Sequence, residues 1–306
     1  MKLSLITPAK NIDEYLISAI KYFIKNKSPD IELIIVLDQL EPQNLLGEIR
    51  EIEKKNDSLK IFKNDHVGRV TALNYGYKKS IGEIIKCIDS DDILLFDFYS
   101  LIDDLMKYDA HCHNAVIGDG NLQKLYTYTF NPTVLNKKYK YIVDNMISSP
   151  RWTWSFKRRI GDIIFPIPGN LFAEDFWFTF VIKSNAKEIH HFNKELYIYR
   201  QHEGNEWGGV VNFSKRIVHQ RSKWLLNEIN QLLVYKDILQ LSNESMADAI
   251  IFHNAILNNK SFFSILFLNL KFIFKLKMIL MLYFPKLASI VIRFKWIIDK
   301  KRFSNT

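Results

Sequence analysis

Cysteine is nearly absent: Cys87 and Cys112 are the only two in 306 residues. Two thiols cannot build a disulfide framework or a four-cysteine zinc site, and nothing argues for an oxidising compartment. Glycine is also sparse, with 11 residues. No glycine-rich phosphate loop is present, and the "GDG" at Gly118 to Gly120 is too slight to be one. The N-terminal "MKLSLITPAKN" breaks at Pro8 before it reaches the apolar length of a signal peptide, so the active part is expected in the cytoplasm. The longest uncharged run of the apolar tail is about half of the eighteen or so residues that a spanning helix needs. Internal repeats and low-complexity linkers are lacking as well.

Positive charge is missing from most of the chain as a net quantity. The formal charge is +9, and all of it falls between Lys260 and Thr306. The segment before it balances acids against bases. This excludes a generally basic protein and argues against a nucleic-acid partner, whose groove mixes basic residues with exposed aromatics in the folded domain. The "HCH" at His111 to His113 invites a metal reading, but adjacent side chains converge poorly on one ion.

What is present alternates. "KLSLITPA" reads as a buried strand and "NIDEYLISAIKYFIKN" as a helix with Tyr15, Leu16, Ile20, Phe23 and Ile24 at helical spacing. "IELIIVLD" is an apolar strand ending in Asp38. A helix, the short strand "LKIFKN", the helix "RVTALNYGYKKS" and the strand "GEIIKCID" follow. Apolar strands alternating with helices imply a parallel α/β sheet covered on both faces. Ligands then bind beyond the carboxyl ends of the strands, where Asp38 and Asp89 stand. "AVIGDG" predicts a strand, "YTYTFNPTVLNKKYKYIVDN" hairpins or loops, "LFAEDFWFTFVIKSN" a helix, "ELYIYRQH" a late strand, and everything from Phe213 onward helices.

The crowding of Asp89, Asp91 and Asp92 in "KCIDSDDILL" needs compensation. A hard divalent cation, magnesium or manganese, supplies it with carboxylate ligands and open positions for phosphate. Equally, Ser90 or one of the acids can cap a helix "ILLFDFYSLIDDLM".

The order of motifs resembles family 2 glycosyltransferases with the GT-A fold. The matching features are Pro8 and Asn11 after the first strand, Asp38 at the end of the second, Asn74 and Gly76, Gly82 and Glu83, and Asp89-Ser90-Asp91-Asp92. The likeness covers residues 1–105 and resumes at "AEDFWF" and "YRQH". It departs at Ala9 and Lys10, where the family has a small hydroxyl residue and an aromatic, and after Asp38, where "QLEP" replaces Gly-Ser.

The resemblance implies a GT-A catalytic domain over residues 1–212, with a nucleotide-binding half (1–105) and an acceptor half (106–212), followed by a helical region over 213–306. It implies transfer of a sugar from a nucleotide-sugar, of UDP type, to a hydroxyl of a saccharide or lipid-linked glycan in surface polysaccharide synthesis, with inversion. Thr7, Pro8, Ala9, Asn11, Asp38, Asn74, Asp89, Ser90 and Arg200 would face the donor. Asp91 and Asp92, with His202, would hold Mn2+ or Mg2+. Asp175, beside Glu174, would be the base that takes the acceptor's proton. For Asp38 an ordinary turn role stays open, and for Glu174 and Asp175 a helix-start role. Arg69 and Lys86 are read as structural. A metal-dependent nucleotidyl or phosphoryl transferase and a non-enzymatic membrane-associated scaffold are the competing readings.

On the acceptor side, Arg151, Trp152, Trp154, Lys157, Arg158 and Arg159 suit sugar stacking and anion binding, or core packing and a solvated face. In the tail, Lys286, Ser289, Arg293 and Lys300 share a helical stripe, with Ile290, Val291, Phe294, Ile297 and Ile298 mostly off it. That pattern predicts a helix lying on the cytoplasmic face of the inner membrane, or one packed on the catalytic domain or on another subunit of a homo-oligomer.

Overall fold

The computed structural model describes residues 1–40, 43–171, 173–202, 214–242, 244–270 and 272–291. The chain divides into two compact units, Met1–Asn136 with Ser148–Glu203, and Lys137–Ile147 with Gly204–Thr306. The expected boundary at 212/213 lies outside the described residues. The segment Lys137–Ile147, placed by the sequence in the acceptor half, belongs to the second unit.

The first unit is built on one nine-stranded sheet. Strands β1 (Leu3–Ala9), β2 (Ile31–Leu37), β3 (Leu59–Lys63) and β4 (Ile84–Cys87) lie parallel in the order β3-β2-β1-β4. Every residue of β1 and β2 is buried, which is why both read as mainly apolar runs, interrupted only by Ser4, Thr7 and Glu32. Helix α1 (Glu14–Asn26) starts where the Asp13 carboxylate accepts the Leu16 N–H at 2.8 Å. It buries Leu16, Ile17, Ile20 and Phe23. Helix α2 (Gln43–Lys54) leads to β3, and α3 (Arg69–Lys79) leads to β4. Two glycines permit close approaches. A Cβ at Gly76 of α3 would stand 2.5 Å from Ile6 Cγ2 on β1, and one at Gly82 would stand 2.5 Å from the Ser4 backbone nitrogen.

The other half of the sheet is mixed. Strands β5 (Ile93–Leu94), β6 (Ala110–Gly118), β7 (Lys124–Tyr128), β8 (Trp154–Lys157) and β9 (Ile189–Arg200) extend it in the order β8-β6-β9-β5, with β7 on β6. β8 runs antiparallel to both β4 and β6, whereas β6 and β9 are parallel. Two local expectations change. "ILLFDFYSLIDDLM" is not one helix: Ile93 and Leu94 pair with Ile198 and Tyr197 of β9, and only the short helices Phe96–Tyr99 and Ile102–Leu105 follow. "YTYTFNPTVLNKKYKYIVDN" contributes one arm of the β6–β7 hairpin and then the helices Pro132–Asn136 and Tyr139–Asp144.

The second unit is helical, as its periodicity predicts, with Lys215–Val234, Ala247–Leu257, Phe262–Leu266 and Phe272–Tyr283. Val218, Phe252, Ile256, Ile265, Met278 and Ile279 form its core. Of the stripe expected in the tail, Lys286, Ser289, Ile290 and Val291 fall in helix; Arg293, Phe294, Ile297, Ile298 and Lys300 lie outside the described residues.

Candidate active site

Strand β4 delivers the acidic turn, and the turn is held by β9. The Tyr197 hydroxyl accepts the Asp89 N–H at 3.1 Å and donates to Asp92 Oδ2 at 2.7 Å. Asp92 Oδ1 accepts the Arg200 N–H at 2.8 Å. Asp92 is only 1% exposed. Burial, then Asp89 and Asp91, push its carboxyl well above the usual range. Asp92 therefore braces the turn against β9 from inside the sheet, rather than standing with Asp91 as an open ligand.

Asp91 points the other way. Its Oδ2 lies 2.8 Å from His202 Nε2, with the two side chains 24% and 23% exposed. Burial and then Asp89 raise the Asp91 carboxyl, and His202 opposes the shift. The His202 ring stacks on Tyr15 of α1 at 5.1 Å. The Arg200 guanidinium lies over the same Tyr15 ring at 4.3 Å and donates to the Gly120 carbonyl at 3.2 Å. Arg200, expected from the resemblance to face the donor, is tied into the protein at this corner.

Asp89 carries the link to the rest of the site. It pairs with Arg151, which is 3% exposed. Arg151 Nη1 also lies 3.4 Å from Glu174 Oε1, and the Arg151 backbone N–H donates to Asp175 Oδ1 at 2.8 Å. Burial works against the Arg151 charge, but Asp89, Glu174 and Asp175 outweigh it and hold its pKa above the ordinary value. Arg69, at the start of α3, reaches the same Glu174 oxygen at 3.2 Å. Burial opposes ionisation of Glu174, yet Arg151 and Arg69 hold its carboxyl below the usual range. Glu174 is thus a fixed anion between two arginines. Asp175, half-buried beside it, is pushed up to about 7 by burial and by the Glu174 charge. Two neighbouring acids thus carry opposed shifts, one held as an anion and the other inclined to keep its proton.

Asp38 closes the chain of contacts. Its carboxylate accepts from Asn64 Nδ2 at 2.7 Å and from the Gly68 N–H at 3.0 Å, next to Arg69. Asp89, Glu174 and Asp175 therefore share Arg151, whereas Asp38 reaches them only along the Gly68–Arg69 backbone and Asp91 only through the turn that it shares with Asp89. Asn74 does not join them. Its amide donates to the Ile167 carbonyl at 3.0 Å and accepts the Ile167 N–H at 2.7 Å. That clamps the loop before Glu174 and leaves Asn74 a structural residue rather than a donor contact. On β1, Thr7, Pro8 and Ala9 are buried within the sheet, whereas Asn11 is exposed and Ser90 partly so.

The acceptor-side candidates settle as core and scaffold. Trp152 and Trp154 are buried at 5% and 0% exposure, and Trp152 stacks on Tyr197 at 4.9 Å. Arg158 donates to the Gly82 carbonyl, and Arg159 pairs with Asp109. Lys86 is fully buried. It donates to the Trp152 carbonyl at 2.7 Å and contacts His113 Nε2 at 2.7 Å, and burial pushes its pKa down to about 7. It fixes the turn that presents Arg151, a role that its place among apolar residues conceals.

No group of three or more His, Cys, Asp or Glu able to hold a metal occurs among the described residues. The Asp91–His202 pair is a smaller donor set. It suits a hard ion held by few protein groups, with substrate phosphates and water completing the shell.

A mixed α/β domain with acids gathered beyond its strand ends defines a fold shared with solved GT-A glycosyltransferases. TarS 1–349 from S. aureus, solved with UDP-GlcNAc, is 20% identical with a TM-score of 0.54, covering 91% of this chain and 78% of that one. A mannosyltransferase from Pyrobaculum calidifontis, solved with GDP-Man and Mn2+, is 13% identical with a TM-score of 0.50, covering 84% and 74%. Residues 4–158, just over half of the chain, match the family described as "Glycosyl transferase family 2", and the chain belongs to that family. Its sequence relatives include the glycosyltransferase GlyA of Streptococcus pneumoniae, 22% identical over 67% of this chain. An uncharacterized glycosyltransferase of Rickettsia conorii is 32% identical over 31% of it. The matched stretch spans 31% and 16% of those relatives' lengths.

Proposed function

We propose that the protein is an inverting glycosyltransferase that moves a sugar from a nucleotide-sugar to a hydroxyl of a saccharide or lipid-linked glycan in cell-surface polysaccharide synthesis of the lipopolysaccharide or capsule type. The observation that carries this reading is Asp175. Its carboxyl is raised to about 7, and it is joined through Arg151 to the Asp89 turn. A general base works best with a pKa near the operating pH.

In the reaction the acceptor oxygen bonds to the anomeric carbon, the bond from that carbon to the diphosphate breaks, and the acceptor's proton passes to an ionised Asp175. One displacement inverts the anomeric centre. Asp91 and His202 would hold the divalent cation, which when bound neutralises charge growing on the leaving diphosphate. Arg151 and Arg69 keep Asp89 and Glu174 in place, so that Asp175 meets a fixed field. Holding donor and acceptor in register supplies much of the remaining acceleration. A UDP-sugar is the favoured donor, with TarS as its support. The mannosyltransferase neighbour makes GDP-mannose the alternative to include. Whether the group moved is a hexose or an N-acetylhexosamine follows from the same trial.

The test is nucleoside diphosphate release from a panel of UDP- and GDP-sugars, with and without manganese, using the wild type and Asp175→Asn. Release by the wild type alone, with both proteins folded, is the expected result. Unchanged turnover in Asp175→Asn would remove the base assignment.

A further inference from the structure

The helices of the second unit carry apolar side chains on two sides. One side packs inward: Ile265, Met278, Ile279 and Ala288 are at most 9% exposed. The other faces solvent, with Phe263 at 73%, Phe267 at 87%, Phe272 at 74%, Phe284 at 52% and Ile290 at 51%. More than half of the exposed large apolar residues among those described fall between Phe262 and Val291. Large apolar side chains left exposed and gathered in one segment of a folded unit mark a docking surface.

Charge chooses the occupant. The segment Lys260–Thr306 holds ten Lys or Arg and one acid, Asp299. Lys260, Lys277 and Lys286 are exposed among the phenylalanines. Phenylalanines interleaved with lysines, almost without acids, suit the boundary between acyl chains and anionic headgroups. An equally apolar surface on a second copy would bring the same lysines together, and like charges repel. No helix among the described residues is long and apolar enough to cross a membrane. We infer that the Phe262–Val291 face docks in the plane of an anionic lipid surface, without spanning it. This does not depend on the glycosyltransferase reading.

The experiment is co-sedimentation of the full chain with phosphatidylglycerol–phosphatidylcholine vesicles and with phosphatidylcholine alone. Light scattering would report the oligomeric state. The variants are Phe263→Ser/Phe267→Ser/Phe272→Ser and Lys260→Glu/Lys286→Glu, all at exposed positions. Binding to the anionic vesicles is expected, with either variant weakening it roughly tenfold or more, and high salt should weaken it further. Circular dichroism should report the same fold throughout. Failure of the wild type to bind, or equal binding by all three proteins, would overturn the inference. So would conversion of a dimer to a monomer by the serine variant without any vesicle binding, which would make the face an interface between copies.

Discussion

Asp91 Oδ2 and His202 Nε2 stand 2.8 Å apart although 111 positions separate the two residues in the chain. The acidic turn after β4 and the end of β9 are brought together by Asp92 and Tyr197 behind them. Tyr15 stacks on the histidine from α1.

The Asp91–His202 pair predicts a shared effect on metal use. Asp91→Asn and His202→Ala should each lower metal affinity or turnover by about 10- to 100-fold, the range seen when a metal's surroundings are altered. Manganese titration of nucleoside diphosphate release measures this. Tyr15→Ala should act in the same direction but more weakly, because it removes only the ring against which His202 is set. An unaltered manganese dependence in Asp91→Asn would show that the turn does not hold the ion.

Asp175 predicts the pH dependence. Its folded pKa is raised to about 7, so the base is ionised only above that pH. The kcat/KM profile should climb through neutrality and level off above it. In Glu174→Gln the neighbouring negative charge is gone, and Arg151 and Arg69 lose an anion that competes for them. Both changes lower the Asp175 pKa, so the rising limb should move to lower pH. Stability runs in the opposite sense. A carboxyl raised on folding binds its proton more tightly in the native state, and its contribution declines as pH rises from about 4 towards 7. Denaturant midpoints of the wild type against Asp175→Asn across that window give the check.

Much of the first half of the sheet was legible because β1 and β2 are buried on both faces, and burial on both faces leaves a mainly apolar run, broken only by Ser4, Thr7 and Glu32. The "ILLFDFYSLIDDLM" stretch was misread for the converse reason. Ile93 and Leu94 are strand residues only because β9 pairs with them, about a hundred positions later. Periodicity within a window cannot see that partner. Within the motifs, residue type was legible and direction was not. Asn74 fits a donor contact as well as a loop clamp, and Asp92 fits a ligand as well as a buried brace. Arg151 was legible as an anion-binding residue in "SSPRWTW", but the anions that it meets were not. Its partners Asp89 and Asp175 lie 62 and 24 positions away.

Arg151 is the cation on which two of the site's carboxylates depend. Removing one member of a buried ion pair leaves the other charge unpaired, at a cost of about 3–5 kcal/mol. Arg151→Ala should show a loss of that order in urea denaturation at neutral pH. Part of the loss should be recovered in acid, where Glu174 takes up its proton. Arg151→Lys keeps the charge but cannot serve two carboxylates in a plane. It should recover stability better than activity.

Asn74 tests whether a residue from the family motif acts through structure. Its side chain makes both hydrogen bonds to the Ile167 backbone, 93 positions away. Asn74→Ala leaves a buried-side N–H and carbonyl without partners, which costs about 1–3 kcal/mol for a group left unsatisfied. Asn74→Asp keeps the acceptor and loses the donor, so it should fall between the wild type and alanine in thermal unfolding. Because the loop leads into Glu174 and Asp175, turnover should drop together with stability, whereas the KM for the nucleotide-sugar should hardly move. A large rise in that KM with little loss of stability would instead return Asn74 to the donor site.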